Sequence, residues 1–214
     1  MSKKEEILQV LKQFKNAYEK LEGTIRDKKA SGLYTDIGFE KEKQALIQSV
    51  APGIQNMHNQ LIQLVDSGMS DLENKWRRVT TGKLSDAGYQ IGLSNVLKML
   101  ELGAISEKQD IENIIQTYQE DYNAMSAISW MISNNQSEDV RSYATMIPKD
   151  NRNYTRNLIK KFRNNIDGVV TVYAVENSLS EETPGFSSLS LSLNGMMEFV
   201  NDRLGEDLNV QEQK

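Results

Sequence analysis

Ile7, Leu11, Phe14, Tyr18, Leu21 and Ile25 follow one another at spacings of 4, 3, 4, 3 and 4. This is the seam of a bundle helix or left-handed coiled coil, with no strand-like alternation. It predicts a helix that stops at Ala30-Ser31-Gly32. A second helical stretch follows Thr35 and carries Leu46, Val50, Ile54, Met57, Leu61, Leu64 and Leu72. Pro52-Gly53 predicts a kink or a new start within it, because proline removes a backbone donor and clashes with the preceding turn. Gly68 followed by Ser70-x-x-Glu73 reads as a stop and then a capping box, so a second break is expected near 68–70.

The pattern resumes near Ser85 and runs to Gly103, with Tyr89, Leu93, Val96, Leu97 and Leu100. Ser106-x-x-Gln109 is another capping box, and it predicts one long helix to about Ser133. Ile111, Ile114, Ile115, Tyr118, Tyr122, Met125, Ile128 and Ile132 lie along it, and Asn134-Asn135-Gln136 ends it. Ser137 caps a short helix that stops before Pro148. From Asn151, Tyr154, Leu158, Phe162, Ile166, Val169 and Tyr173 keep helical spacing across Gly168. The run 169–173 has strand propensity, but the period carries through it and favours helix. Glu181-Glu182-Thr183-Pro184-Gly185 reads as a linker. Beyond it Leu189, Leu193, Met196, Met197, Val200 and Leu204 make one apolar helical stripe. The polar tail from Gly205 is expected to fray.

These elements predict an all-α protein, an elongated helical bundle with coiled-coil hairpins. Three stretches are expected: a hairpin region over 1–133, a region with a basic stripe over 134–183, and a linker, amphipathic helix and tail over 184–214. An internal repeat of 50 residues, or two chance helix junctions built from common capping residues, lays Gly32-Leu33-Tyr34-Thr35-Asp36-Ile37-Gly38-Phe39 on Gly82-Lys83-Leu84-Ser85-Asp86-Ala87-Gly88-Tyr89. The local chemistry is that of a helix junction. A glycine ends one helix, Thr or Ser caps the next, and Asp sits at the positive end of the dipole. Gly38 and Gly88 are expected at close approaches to the preceding helix.

Composition narrows the chemistry. The chain has 214 residues, no cysteine, a single histidine and three prolines. Disulfides, thiolate nucleophiles and cysteine-held metal sites are excluded. Leu, Ile, Val and Phe make up about a quarter of the residues, above the roughly 20% below which a chain stays disordered. No apolar run is long enough to span a membrane. The N-terminus leads into heptads and not into the core of a signal peptide.

His58 has Ile54, Gln55, Leu61 and Ile62 at the positions where a helical metal partner would stand, so it reads as structural. No phosphate-binding loop, dinucleotide loop or nucleophile elbow is present. The neighbouring carboxylates Glu120-Asp121 and Glu181-Glu182 diverge on a helix and read as solvated surface. No catalytic residue, metal ligand or cofactor is expected. Arg152, Arg156, Lys160 and Arg163 recur every three or four residues as a basic stripe, and Lys75-Trp76-Arg77-Arg78 is a second basic cluster carrying an aromatic. Both could meet phosphate. A net charge of −5 makes the chain a poor general nucleic-acid binder, and a solvated face or a protein interface is the preferred reading.

The heptads, the segment Ser31-Gly32-Leu33-Tyr34-Thr35-Asp36-Ile37-Gly38, and Lys75-Trp76-Arg77-Arg78 with Gly82-Lys83-Leu84-Ser85-Asp86-Ala87-Gly88-Tyr89-Gln90 resemble helical, coil-containing proteins of tailed phages of Gram-positive bacteria. The similarity extends over residues 1–133. It implies a virion or capsid-assembly role, scaffold-like or as a minor head protein, and brings no catalytic residues. The expectation is a non-enzymatic homo-oligomer in the host cytoplasm or the virion, whose partner is a capsid, head or host protein. The stripe Leu189, Leu193, Met196, Met197, Val200 and Leu204 is its expected docking surface, the alternative being that this helix caps its own bundle. The alternative is a phage-encoded inhibitor or adaptor that binds a host or defence protein.

Overall fold

The structure, a computed structural model, describes residues 1–180 and 188–210. The expected linker at 181–185 lies outside them, as do residues 211–214. The described residues form nine α-helices, a short 3-10 turn and no strand, an isolated bridge between Leu204 and Val210 aside. The protein is all-α. Contacts gather it into two compact units, one of Met1–Leu72 with Tyr154–Lys214 and one of Glu73–Asn153. This grouping differs from the three stretches read along the sequence, because the C-terminal helices return to the N-terminal one.

In the first unit α1 spans Lys3–Ala30 and starts at a capping box between Ser2 and Glu5. Its seam is buried as the spacing predicts: Ile7, Leu11, Phe14, Tyr18, Leu21 and Ile25 all leave solvent, together with Val10. Gly32 takes the left-handed φ of +66° and lets the chain turn, since a side chain there would be strained. Thr35 Oγ1 then accepts from Gly38 N at 3.1 Å and opens α2, Asp36–Leu84.

That helix is one element of 49 residues, with Pro52 inside it. Neither expected break divides it. Gly68 is no stop signal. A Cβ there would fall well inside contact with Leu208 Cδ1 and 3.2 Å from its Cγ, so the missing side chain makes room for a packed leucine. Leu208 holds a left-handed φ of 64° and is buried, as is Val210. Gly205 N bonds Asn209 O at 2.7 Å, and Lys4 Nζ bonds the carbonyls of Asn201 and Leu204, each at 2.8 Å. The tail expected to fray is therefore, through Val210, a folded turn.

Two helices and a shorter one complete this unit: α7 (Arg152–Val169), α8 (Val172–Ser178) and α9 (Ser188–Arg203). The strand-prone run is not a strand. It breaks instead at Thr171, whose hydroxyl accepts from Ala174 N and caps α8. On α7 the buried stripe is Thr155, Ile159, Phe162 and Ile166, while Tyr154 and Tyr173 from the expected stripe are exposed. Phe162 stacks on Phe199 of α9 at 5.4 Å. The inner face of α9 packs on α1, and Lys15 Nζ reaches Asn194 Oδ1 at 2.9 Å beside that contact.

The second unit holds the end of α2 with α3 (Ala87–Glu101), α4 (Lys108–Tyr118), α5 (Tyr122–Ser133), α6 (Glu138–Ser142) and the 3-10 turn Tyr143–Met146. Its core is Leu100, Ile105, Ile111, Ile128, Ile132 and Val140 with their neighbours. The long helix expected over 106–133 is two helices. Asp121 divides them: its Oδ1 accepts from Asn123 N and Ala124 N at 3.0 and 3.2 Å and caps α5. Ser106 does not cap α4. The position before that helix is Glu107, which makes no side-chain cap bond.

The two halves of the 50-residue repeat are not equivalent. Gly32 ends a helix, whereas Gly82 lies inside α2. Thr35 caps the first junction, but Asp86, one position later in the alignment, caps the second. A Cβ at Gly38 or Gly88 would meet only the nearby cap side chain, Thr35 Oγ1 at 3.2 Å or Asp86 Oδ1 at 3.4 Å. Neither glycine marks a close approach of the preceding helix.

Candidate functional site

The stripe expected to dock a partner is the first to be placed. Leu189, Leu193, Met196, Val200 and Leu204 are buried in their own unit, and Met197 is half-buried. With α1 covering the face, the stripe is core, as in the alternative in which this helix caps its own bundle. The periodicity was a true signal of burial and carried no information about which molecule supplies the cover.

The basic stripe on α7 is partly spent on internal contacts. Arg152 makes a bidentate pair with Asp150, Nη2 to Oδ2 at 2.7 Å, and lies 4.5 Å over the Tyr122 ring. The hydrogen bond to Asp150 holds its guanidinium above the ordinary arginine value. Arg163 Nε bonds Asp66 Oδ1 at 2.9 Å and Nη1 bonds Asp167 Oδ2 at 3.1 Å, with the same upward effect led by Asp66. Arg156 and Lys160 are exposed on the same helix. In the other basic cluster Trp76 is buried, so its ring is withdrawn from solvent.

His58 is a structural tie. Its Nδ1 lies 3.0 Å from the Val170 carbonyl and its Nε2 3.5 Å from Asp167 Oδ1. Among the described residues no group of three or more histidines and carboxylates is placed to hold a metal ion. Asp121, read from sequence as solvated, is buried. Besides capping α5 it accepts from Tyr89 Oη at 2.9 Å. Burial, then this hydrogen bond, push the Tyr89 phenol well above its ordinary value, so it stays a neutral donor. Tyr89 also packs on Tyr118, ring centroids 5.3 Å apart.

What remains is a surface feature that the motif search passed over. The C-terminal ends of α3 and α5 border a groove of about 510 Å³, lined by Glu101, Leu102, Trp130, Met131 and Asn134 among others. The ends are tied by Asn135 Nδ2, which donates to Leu100 O at 2.9 Å. Trp130 is 65% exposed and Leu102 69%. On α5 the core face is Met125, Ile128 and Ile132. Trp130 stands two residues from both isoleucines, about 200° round the helix, on the outward side. A tryptophan off the apolar face was the legible signal. The turn between α1 and α2 also exposes Leu33 and Ile37, and Ile37 borders a second groove with Asp36, Glu40, Lys41 and Gln44.

No protein family, curated protein or solved structure matches the chain.

Proposed function

We propose that the protein works by contact with other proteins, as a non-enzymatic helical assembly component. The observation that supports this is the groove at the ends of α3 and α5, where a large aromatic and a leucine stand mostly in water. Tryptophan is enriched where an interface concentrates its binding energy, in a central pocket closed off from solvent by surrounding contacts. The docking surface thus moves from α9, whose apolar face is covered, to Trp130 and Leu102.

The finer reading is a capsid-assembly role in a tailed phage, scaffold-like or as a minor head protein, in the host cytoplasm or the virion. It rests on the resemblance over residues 1–133. The test is to purify heads and precursor heads and measure this chain in each, for wild type and for Trp130→Ala. The expected result is wild-type protein in precursor heads in regular proportion, and a variant that melts normally yet is depleted from them. Absence of the wild-type chain from both particles would sink the assembly role. A single host protein bound stoichiometrically instead would favour the inhibitor or adaptor reading.

A further inference from the structure

The groove has a chemistry more specific than apolar. Its one exposed aromatic is an indole, the ring that binds cations best. Elsewhere the chain already uses its aromatics this way: Lys28 lies over Tyr34, Lys29 over Phe39, Lys83 over Tyr89 and Arg152 over Tyr122. Among the described residues no cation lies over Trp130.

The polar groups around it are acceptors. Asn134 Nδ2 is committed to the Trp130 carbonyl at 2.8 Å, which leaves Oδ1 as an acceptor that no donor reaches among the described residues. The Glu101 carboxylate pairs with Lys98 at 2.9 Å, both side chains more than half exposed, so water or a competing cation can displace that lysine. Two helices end here, α3 at Glu101 and α5 at Ser133. Their aligned peptide dipoles add partial negative charge. The last turn of α5 carries no basic residue to offset it, while that of α3 carries Lys98, the partner of Glu101. Arg141 approaches only the carbonyls beyond that helix, Asn135 and Gln136, at 2.8 and 3.0 Å.

A flat aromatic face beside acceptors and negative potential matches one side chain better than any other. Guanidinium is planar, donates in five directions, is always charged and is weakly hydrated, so it can stack and hydrogen-bond together. Lysine offers a compact, strongly hydrated ammonium that stacks less well. We propose that this groove receives an arginine side chain of the protein partner, its guanidinium stacked on Trp130 and donating to Glu101 and Asn134. The proposal rests on the protein-contact reading above and names the partner's chemistry at that contact.

The experiment uses the full-length protein and three synthetic peptides, identical except for arginine, lysine or citrulline at two positions. Citrulline keeps the shape of arginine and removes the charge. Binding is followed by calorimetry and by tryptophan emission, with Trp76 buried as a steady background. Quenching by caesium and by iodide reports the sign of the potential at Trp130.

Caesium is expected to quench Trp130 more than iodide does. The arginine peptide is expected to bind about tenfold more tightly than the citrulline peptide, with lysine between. Glu101→Gln should weaken the arginine peptide several-fold, and Trp130→Ala should abolish its binding without altering the melt. Equal binding of the arginine and citrulline peptides, or none, overturns the proposal. If that happens while Trp130→Ala is still depleted from precursor heads, the contact reading stands and only the arginine assignment is lost. If the variant enters heads like wild type, the contact reading fails, and the arginine proposal with it.

Discussion

Gly68 carries the sharpest test of the fold. In an exposed helix interior Gly→Ala stabilises by about 1 kcal/mol, because alanine loses less backbone freedom on folding. At Gly68 the added methyl would overlap Leu208 Cδ1 and crowd its Cγ. A leucine at a loose surface would swing aside. Leu208 is buried and pinned at a left-handed φ of 64°, so its side chain has little room to move. Overpacking of this kind costs about 1–3 kcal/mol. Detaching the turn instead would expose Leu208 and Val210, about 1.5–3 kcal/mol for each, so local strain is the cheaper response. After the propensity gain, the net for Gly68→Ala is a loss of up to about 2 kcal/mol, worth up to about 8 °C in a chain of this size. Gly53 is the internal control. It lies in the same helix with nothing within 4 Å of a built Cβ, so Gly53→Ala should gain up to about 1 kcal/mol. Urea unfolding followed by circular dichroism reads both. Leu208→Ala completes a cycle: its cost should shrink by about 1 kcal/mol or more in the Gly68→Ala background, where it also relieves the clash. If Gly68→Ala melts as high as Gly53→Ala and the double variant is additive, the packing of the C-terminal turn on α2 is wrong.

Leu11→Ala and Phe14→Ala in the α1 seam should each cost about 2–5 kcal/mol, and sedimentation will say whether any change of mass accompanies the loss; an unchanged melt contradicts a packed seam. The Tyr89 phenol, raised by burial and by Asp121, makes its contribution in the neutral form, so that stability is fully present below the ordinary tyrosine value of about 10 and drains away as pH climbs above it. Tyr89→Phe should flatten that alkaline limb in urea titrations between about pH 8 and pH 11, and an unaltered limb would refute the account of a half-buried phenol held by Asp121. On α7, Lys160→Glu should leave stability within about 0.5 kcal/mol, whereas Arg163→Glu should give a small, salt-screened loss through Asp66. Duplex DNA should bind weakly and be released as salt rises toward about 200 mM; tight binding at that salt, abolished by reversing Arg156 and Lys160, would restore the phosphate reading.

How much of this was legible follows from the range over which each cause acts. The α1 seam could be read because heptad burial is a local period, and every residue of it is buried. The division at Asp121 could not, because the carboxylate that caps α5 is held in place by Tyr89, a residue of another helix. Ser106-x-x-Gln109 had the right letters for a cap and no such support. Gly68 looked like a stop because glycine usually is one. Its reason is a leucine 140 residues further on, which no window on the sequence contains. The same limit explains α9. An amphipathic stripe says that a face must be covered, and a return to α1 satisfies it as well as a partner would.

It follows that a contact surface is better sought among residues that break the period than among those that obey it. A residue in phase with the stripe has a cover already available inside its own fold. Trp130 is out of phase. Alone between Ile128 and Ile132, it gains nothing from the core of its unit and leaves its indole in water beside Leu102. Folding does not account for that choice of side chain, since a polar residue on the outer face of α5 would serve the helix equally well. Binding would account for it, which is why we propose the docking surface at the ends of α3 and α5 and not on the methionines of α9.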